Sequence, residues 1–409
     1  MELNEILAKA IAAGASDIHL KHGVMPVFRV HGRLIPIDKK AARLTGDEIA
    51  AMASGVMTTV HQKKFAESHE VDMGYGVAGL GRFRINIFQQ RGTVGMVIRA
   101  IPFQIKTIQE LSLPNVLEKI AAIERGLILV TGITGSGKST TLASMIDYIN
   151  STRTGHILTI EDPIEYLIRD KRSIVNQREL GLDTPGFSVA LRQALRQDPD
   201  VILIGEMRDK ETIRTAIVAA ETGHLVFSTL HTSDTTESIN RILSAFDPHE
   251  QMQLRLQLTG CLRAVISQRL VTRADGKGMV QACEVMVVNA RIREMIANPQ
   301  KTREIPLAIE EGQSGFEMQT FDQSLMSLVR QRLVTFEEAK AASTNPEDFA
   351  LRYKGITSQD GKKWQGFDNT QAGGNLTDVV SIELQRNPDI TQNVPIERRK
   401  KMGRDDDED

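Results

Sequence analysis

Hydrophobic and polar positions change rhythm twice along the chain. Residues 1–13 place Leu3, Ile6, Leu7, Ala10 and Ile11 on one stripe, which predicts an amphipathic helix. Alternation at 16–20 and 27–30 predicts strands, and His31-Gly32 a hairpin turn before 33–36. Alternating runs recur at 71–77, 82–88 and 93–99, so residues 1–100 are expected to form an antiparallel α+β domain. Pro102 and Pro114 mark 101–115 as a linker, because the residue before a proline is pushed toward extended backbone. From Gly126 the runs become largely apolar: 126–131, 156–160, 201–204 and 225–230, separated by helical stretches. That alternation predicts an α/β core with a largely parallel sheet and helices on both faces. Beyond residue 234 helices are expected to dominate, with 251–270 as one long helix and 321–332 as another. The core domain is assigned to 116–355. Residues 356–409 turn polar and end in a basic run at 398–401 and an acidic run at 405–409, the composition of a disordered tail.

Between the first apolar run of the core and the helix after it lies Gly132-Ile133-Thr134-Gly135-Ser136-Gly137-Lys138-Ser139-Thr140. It matches the phosphate-loop pattern G-x-x-x-x-G-K-[ST]. The glycines let backbone N–H groups approach phosphate oxygens, and the helix N-terminus adds partial positive charge. An incidental glycine-rich turn can match the same pattern; strand before and helix after are the context that separates the two. Gly132, Thr134, Gly135, Ser136, Gly137, Lys138, Ser139 and Thr140 are therefore expected to bind ATP. Lys138 would reach the β- and γ-phosphates and Ser139 would ligate Mg²⁺.

In parallel sheets ligands bind beyond the carboxyl ends of the strands. After 157–160 come Glu161-Asp162-Pro163-Ile164-Glu165, after 201–204 come Gly205-Glu206-Met207-Arg208-Asp209, and after 225–230 comes His231. Glu206 is the expected catalytic base. Gly205 stands where an Asp is usual, so metal binding falls to Ser139 with Glu161 or Asp162. The plainer alternatives are pairing of Glu206 with Arg208 or a neighbouring subunit, and helix capping by Glu161 and Asp162. His231 stands where a γ-phosphate sensor would. His224 lies at the other end of the same run, roughly 23 Å away at about 3.3 Å per residue, so it reads as structural. The core lacks an obvious arginine for transition-state charge; Arg82, Arg84 and Arg99 of the first domain are the candidates.

Bulk properties remove several classes. A net charge of −2 and 4% aromatic residues, without a basic-aromatic stripe, speak against a nucleic-acid translocase. Cys261 and Cys283 are the only cysteines, too few for a four-cysteine zinc site and consistent with a reducing cytosol. The acidic start Met1-Glu2-Leu3-Asn4-Glu5 is unlike a signal peptide, and no apolar run nears the roughly 20 residues of a membrane span. A cytoplasmic protein without a transmembrane segment is expected. His19, His22 and His31 read as structural or surface residues.

Together these residues resemble the retraction ATPases of bacterial type IV pili, within the secretion-ATPase superfamily. The resemblance covers roughly residues 1–355. It runs through Ala15-Ser16-Asp17-Ile18-His19-Leu20, Gly81-Arg82-Phe83-Arg84, the phosphate loop and the acidic box 160–165. It continues through 205–209, the histidine box from Thr222-Gly223-His224 to Leu230-His231-Thr232, and Met318-Gln319-Thr320-Phe321-Asp322. The resemblance implies a homohexamer whose subunits join a PAS-like N-terminal domain to a RecA-like P-loop ATPase core with a helical C-terminal part. ATP would bind between the domains, with Arg84 and Arg99 completing the site, Glu206 as base and Glu161 at the metal. It also implies an inner-membrane platform protein as partner, a paralogous pilus ATPase as a further one, and a place at the cytoplasmic face of the inner membrane. Ile133 departs from the family's usual Pro. The family motif Ala-Ile-Arg-Asn-Leu-Ile-Arg-Glu survives only in degenerate form at 290–296, which keeps open an accessory ring subunit that assists another motor. An extension or type II secretion ATPase is the other alternative; those typically carry a tetracysteine element this chain cannot build.

Overall fold

The computed structural model describes residues 2–30, 32–37, 42–101 and 104–355. His31, the linker residues Pro102 and Phe103, and the tail 356–409 lie outside the described residues. One compact unit runs through Phe349; the described residues from Ala350 to Gly355 fall in a second unit.

The first helix, Leu3–Ala12, buries Leu3, Ile6, Leu7 and Ala10. Ile11, expected on that stripe, is 37% exposed; it sits about a quarter turn from the stripe's centre at 100° per residue. Six strands follow among the described residues: β1 (Asp17–Leu20), β2 (Val27–Val30), β3 (Arg33–Pro36), β4 (Glu70–Val77), β5 (Gly81–Gln90) and β6 (Thr93–Ile101). They form one antiparallel sheet in the order β3-β2-β1-β6-β5-β4. Period-two alternation turns Phe83, Ile85, Ile87, Met96 and Ile98 inward, onto Ile6, Leu7 and Ile49. The same alternation puts Arg82, Arg84 and Arg99 on the opposite face, with Arg84 directly across from Arg99.

The second sheet holds seven strands among the described residues: β7 (Gly126–Thr131), β8 (His156–Glu161), β9 (Ile174–Glu179), β10 (Val201–Ile204), β11 (Leu225–Leu230), β12 (Leu262–Thr272) and β13 (Met279–Val287). Their order is β13-β12-β7-β11-β10-β8-β9. The four strands expected from apolar runs are present and parallel. Alternate residues feed two separate cores: Leu127 and Leu129 one, Ile128 and Val130 the other. This explains why the strands read as continuous apolar runs.

The C-terminal part departs from expectation. Instead of one helix over 251–270, a helix spans Pro248–Cys261 and β12 follows at once. Leu262, Ala264, Val265 and Ile266 are buried between β7 and β13, so the run is apolar on both faces and carries no period of its own. β9 was not foreseen either. As an edge strand it leaves Ile174 62% exposed and is otherwise largely polar. Among the described residues no helix is long and apolar enough to cross a membrane.

Candidate active site

The phosphate loop joins the end of β7 to the helix Lys138–Thr152. Gly137 has φ +92°, and a Cβ there would overlap the Gln281 side chain, so the position requires glycine. Lys138 is buried and folds back over the loop. Its Nζ donates to the carbonyls of Gly132 (2.8 Å) and Ile133 (3.0 Å). Burial lowers its proton affinity, against the pull of Glu206 and Glu165. The Ser136 hydroxyl is buried without a partner, and Ser139 makes no side-chain hydrogen bond among the described residues. Thr140 meets the Tyr166 hydroxyl at 2.9 Å.

Glu161 ends β8. Its Oε1 accepts from Thr159 Oγ1 (2.7 Å) and Gln177 Nε2 (3.1 Å), and its Oε2 from the Glu165 N–H (3.5 Å). Burial nevertheless pushes its proton affinity up, and the Glu165 charge adds to the effect. Asp162 follows on the same turn.

Glu206 lies two residues past β10. Its Oε2 is 2.8 Å from Arg208 Nε and 3.4 Å from His231 Nε2. The other ring nitrogen of His231, Nδ1, is 3.5 Å from Thr134 Oγ1 on the phosphate loop. His231 therefore lies between the Glu206 carboxylate and the Thr134 hydroxyl. It thus joins two strand ends across the sheet. His224 contacts the Ala219 carbonyl through Nδ1 at 3.0 Å, at the far end of β11, away from this group.

The arginines are placed less uniformly. Arg84 Nε donates to Asp72 Oδ2 at 2.9 Å, and its Nη1 is 3.9 Å from Glu165 Oε1. Asp72 first, then Glu165 and Asp162, hold the Arg84 guanidinium above its usual range. Arg84 therefore borders the acidic box. Arg99 sits beside it but turns to Asp17 (3.0 Å), with its side chain 67% exposed. Arg82 reaches Glu179 instead.

Several neighbours carry no signal in a motif. Gln177 and Tyr166 hold Glu161 and the loop helix, and Gln281 approaches the Gly137 carbonyl at 3.3 Å. Glu284 does carry one, an acid within an apolar strand. Its Oε1 accepts from the Thr235 N–H (2.9 Å) and hydroxyl (2.8 Å), and burial raises its proton affinity.

Residues 1–357 match the family model of type II/IV secretion system proteins. The chain is 45% identical over 354 residues to the type IV pilus retraction ATPase PilT of Pseudomonas aeruginosa PAO1, covering 85% of this chain and 100% of that protein. It is 41% identical over 354 residues to the type IV pilus ATPase PilU of the same organism, covering 87% and 92%. Among solved structures it resembles the pilus retraction motor PilT with bound ADP, at 46% identity and a TM-score of 0.78 over 85% of this chain and 98% of that one.

Proposed function

Since the chain belongs to the type II/IV secretion system protein family, and within it to the type IV pilus retraction ATPases, we propose that it is a Mg²⁺-dependent motor. It works as a homohexamer and drives pilin out of the pilus base. Residues 1–100 form its first domain and 116–355 its ATPase domain, with ATP held between them. One observation carries the chemical reading: His231 touches Glu206 on one side and phosphate-loop Thr134 on the other. The group that would accept a proton is thereby tied to the loop that would hold the γ-phosphate.

In this reading the loop N–H groups and Lys138 bind the phosphates. Glu206 orients the attacking water and takes its proton. His231 holds Glu206 and reports the γ-phosphate through Thr134. Arg84 and Arg99 neutralise developing charge from the first domain. The donor set suits Mg²⁺: a hydroxyl at Ser139 and carboxylates at Glu161 and Asp162 are hard oxygen ligands. Burial alone makes the Glu161 charge costly, and a cation beside it would offset that cost. When bound, the ion would neutralise β- and γ-phosphate oxygens. We place the ring at the cytoplasmic face of the inner membrane, against a platform protein.

The test is the ATPase rate of the purified full chain with Mg²⁺ and with excess EDTA, beside its native mass. Turnover that EDTA abolishes, in a particle of about six subunits, is the expected result. The comparable likeness to PilU keeps a second reading in view, an accessory ring; bound nucleotide without turnover would select it. Arg99→Ala provides a further check. Its guanidinium is 67% exposed and, among the described residues, pairs with Asp17. Turnover should fall at least about 10-fold with ATP affinity nearly unchanged, read by steady-state kinetics and nucleotide titration. Normal turnover would return Arg99 to the surface.

A further inference from the structure

Glu179 is the last residue of β9, directly across from Glu161 in the parallel ladder. Only 3% of it is exposed, yet it is an acid in none of the boxes described above. Three groups converge on its carboxylate. Oε2 accepts from the Ile164 N–H at 3.1 Å and pairs with the Arg82 guanidinium; Oε1 accepts from the Gly74 N–H at 3.3 Å. Arg82 in turn donates through Nε to the Ile164 carbonyl at 3.2 Å. Both backbone groups of Ile164 are thus held, one by Glu179 and one by Arg82. Asp183 fixes the other end, accepting from the Glu179 N–H at 2.8 Å.

The position of these contacts matters more than their number. Ile164 lies inside the acidic box, between Glu161 and Glu165. Gly74 and Arg82 belong to β4 and β5 of the first sheet, where Gly74 pairs with Arg84 and Arg82 with Gly76. Arg84 is two residues beyond Arg82, so it projects from the same face, toward Glu165. Gly74 leaves room for the joint: a Cβ there would stand 2.5 Å from Arg82 Nη2 and 2.9 Å from Glu179 Oε2.

We propose that Glu179 and Arg82 are a positioning pair, which clamps the loop 161–165 to the N-terminal sheet and so sets where Glu161 and Arg84 stand during ATP hydrolysis. The inference rests on the roles given above to those two residues. It takes Arg82 out of the set of arginines that touch phosphate. Displacing a reacting group by about 1 Å can cost about 100-fold in rate, so loosening the clamp should be felt in kcat rather than in nucleotide affinity.

The experiment compares kcat, KM and ATP affinity of the full chain for wild type, Glu179→Gln, Arg82→Gln, the double variant, Arg82→Lys and Gly74→Ala. Each single change should lower kcat by about 10- to 100-fold and leave ATP affinity within about threefold. The double variant should be no worse than the poorer single, because both remove one joint. Arg82→Lys keeps charge and should recover part of the rate. Gly74→Ala keeps every charged group and wedges the joint, so it tests the inference even if Glu179→Gln fails to fold. Wild-type kcat in Gly74→Ala and Glu179→Gln would overturn it. So would weakened ATP binding with unchanged kcat in Arg82→Gln, which would make Arg82 a phosphate ligand. Glu206→Gln, assayed alongside, separates the two levels: if it loses turnover while the clamp variants keep theirs, only this inference fails.

Discussion

Glu206→Gln should lower kcat about 1,000-fold, within the range found for removal of a general base, and leave ATP bound with near-native affinity. Glutamine keeps the length and shape of the side chain. It fills the same space beside Arg208 and His231, so the packing at the end of β10 should persist. What it loses is the ability to take a proton from water. The prediction therefore separates chemistry from architecture. Steady-state ATPase assays give kcat, and titration with a fluorescent nucleotide gives affinity. Retained turnover would leave Glu206 as no more than the partner of Arg208, with the base to be sought elsewhere. A parallel Arg208→Ala variant sharpens the test: Arg208 is 68% exposed, so its loss should cost far less than loss of the carboxylate.

The parts of this site that the sequence discloses are those whose chemistry demands a fixed spacing. The phosphate loop needs glycines where the backbone adopts positive φ, as at Gly137, and a lysine at the first turn of the helix. Residues just past an apolar run are legible because the strands are buried on both faces and ionisable side chains return only at or beyond their carboxyl ends. The pattern thus marks Glu161, Glu206 and His231 as residues at the carboxyl ends of β8, β10 and β11. The same double burial misled the reading at 262–270, where the short apolar run Ala264-Val265-Ile266, flanked by polar residues, fits a helix or a central strand equally well. Glu179 was invisible for a different reason. Its partners lie 97 and 105 residues away in sequence, at Arg82 and Gly74, and come together only when the first sheet docks on the second. Long-range ion pairs have no local period. For the arginines the sequence pattern gave only their place on strand-like runs; the face they share and their partners, Asp72, Asp17 and Glu179, depend on tertiary structure.

Lys138→Ala is expected to weaken ATP binding by about 10- to 100-fold, the loss of one or two charge-assisted hydrogen bonds. Nζ donates to the carbonyls of Gly132 and Ile133, and burial makes its charge harder to hold. A polyanion in the loop reverses both conditions, giving the cation stronger acceptors and a reason to stay protonated. A pH dependence follows. The lysine's proton affinity in the free protein is lowered by burial, whereas phosphate would raise it, so binding favours the protonated form. Affinity should hold at lower pH and decline as pH rises through the lysine's depressed pKa in the free protein. The alanine variant should lack that decline over the same range. Titrations at several pH values measure both effects, with thermal unfolding as a check that the variant remains folded. Native affinity in the alanine variant would show that the loop's backbone N–H groups suffice. The phosphate-loop reading of residues 132–140 would then lose its central cation.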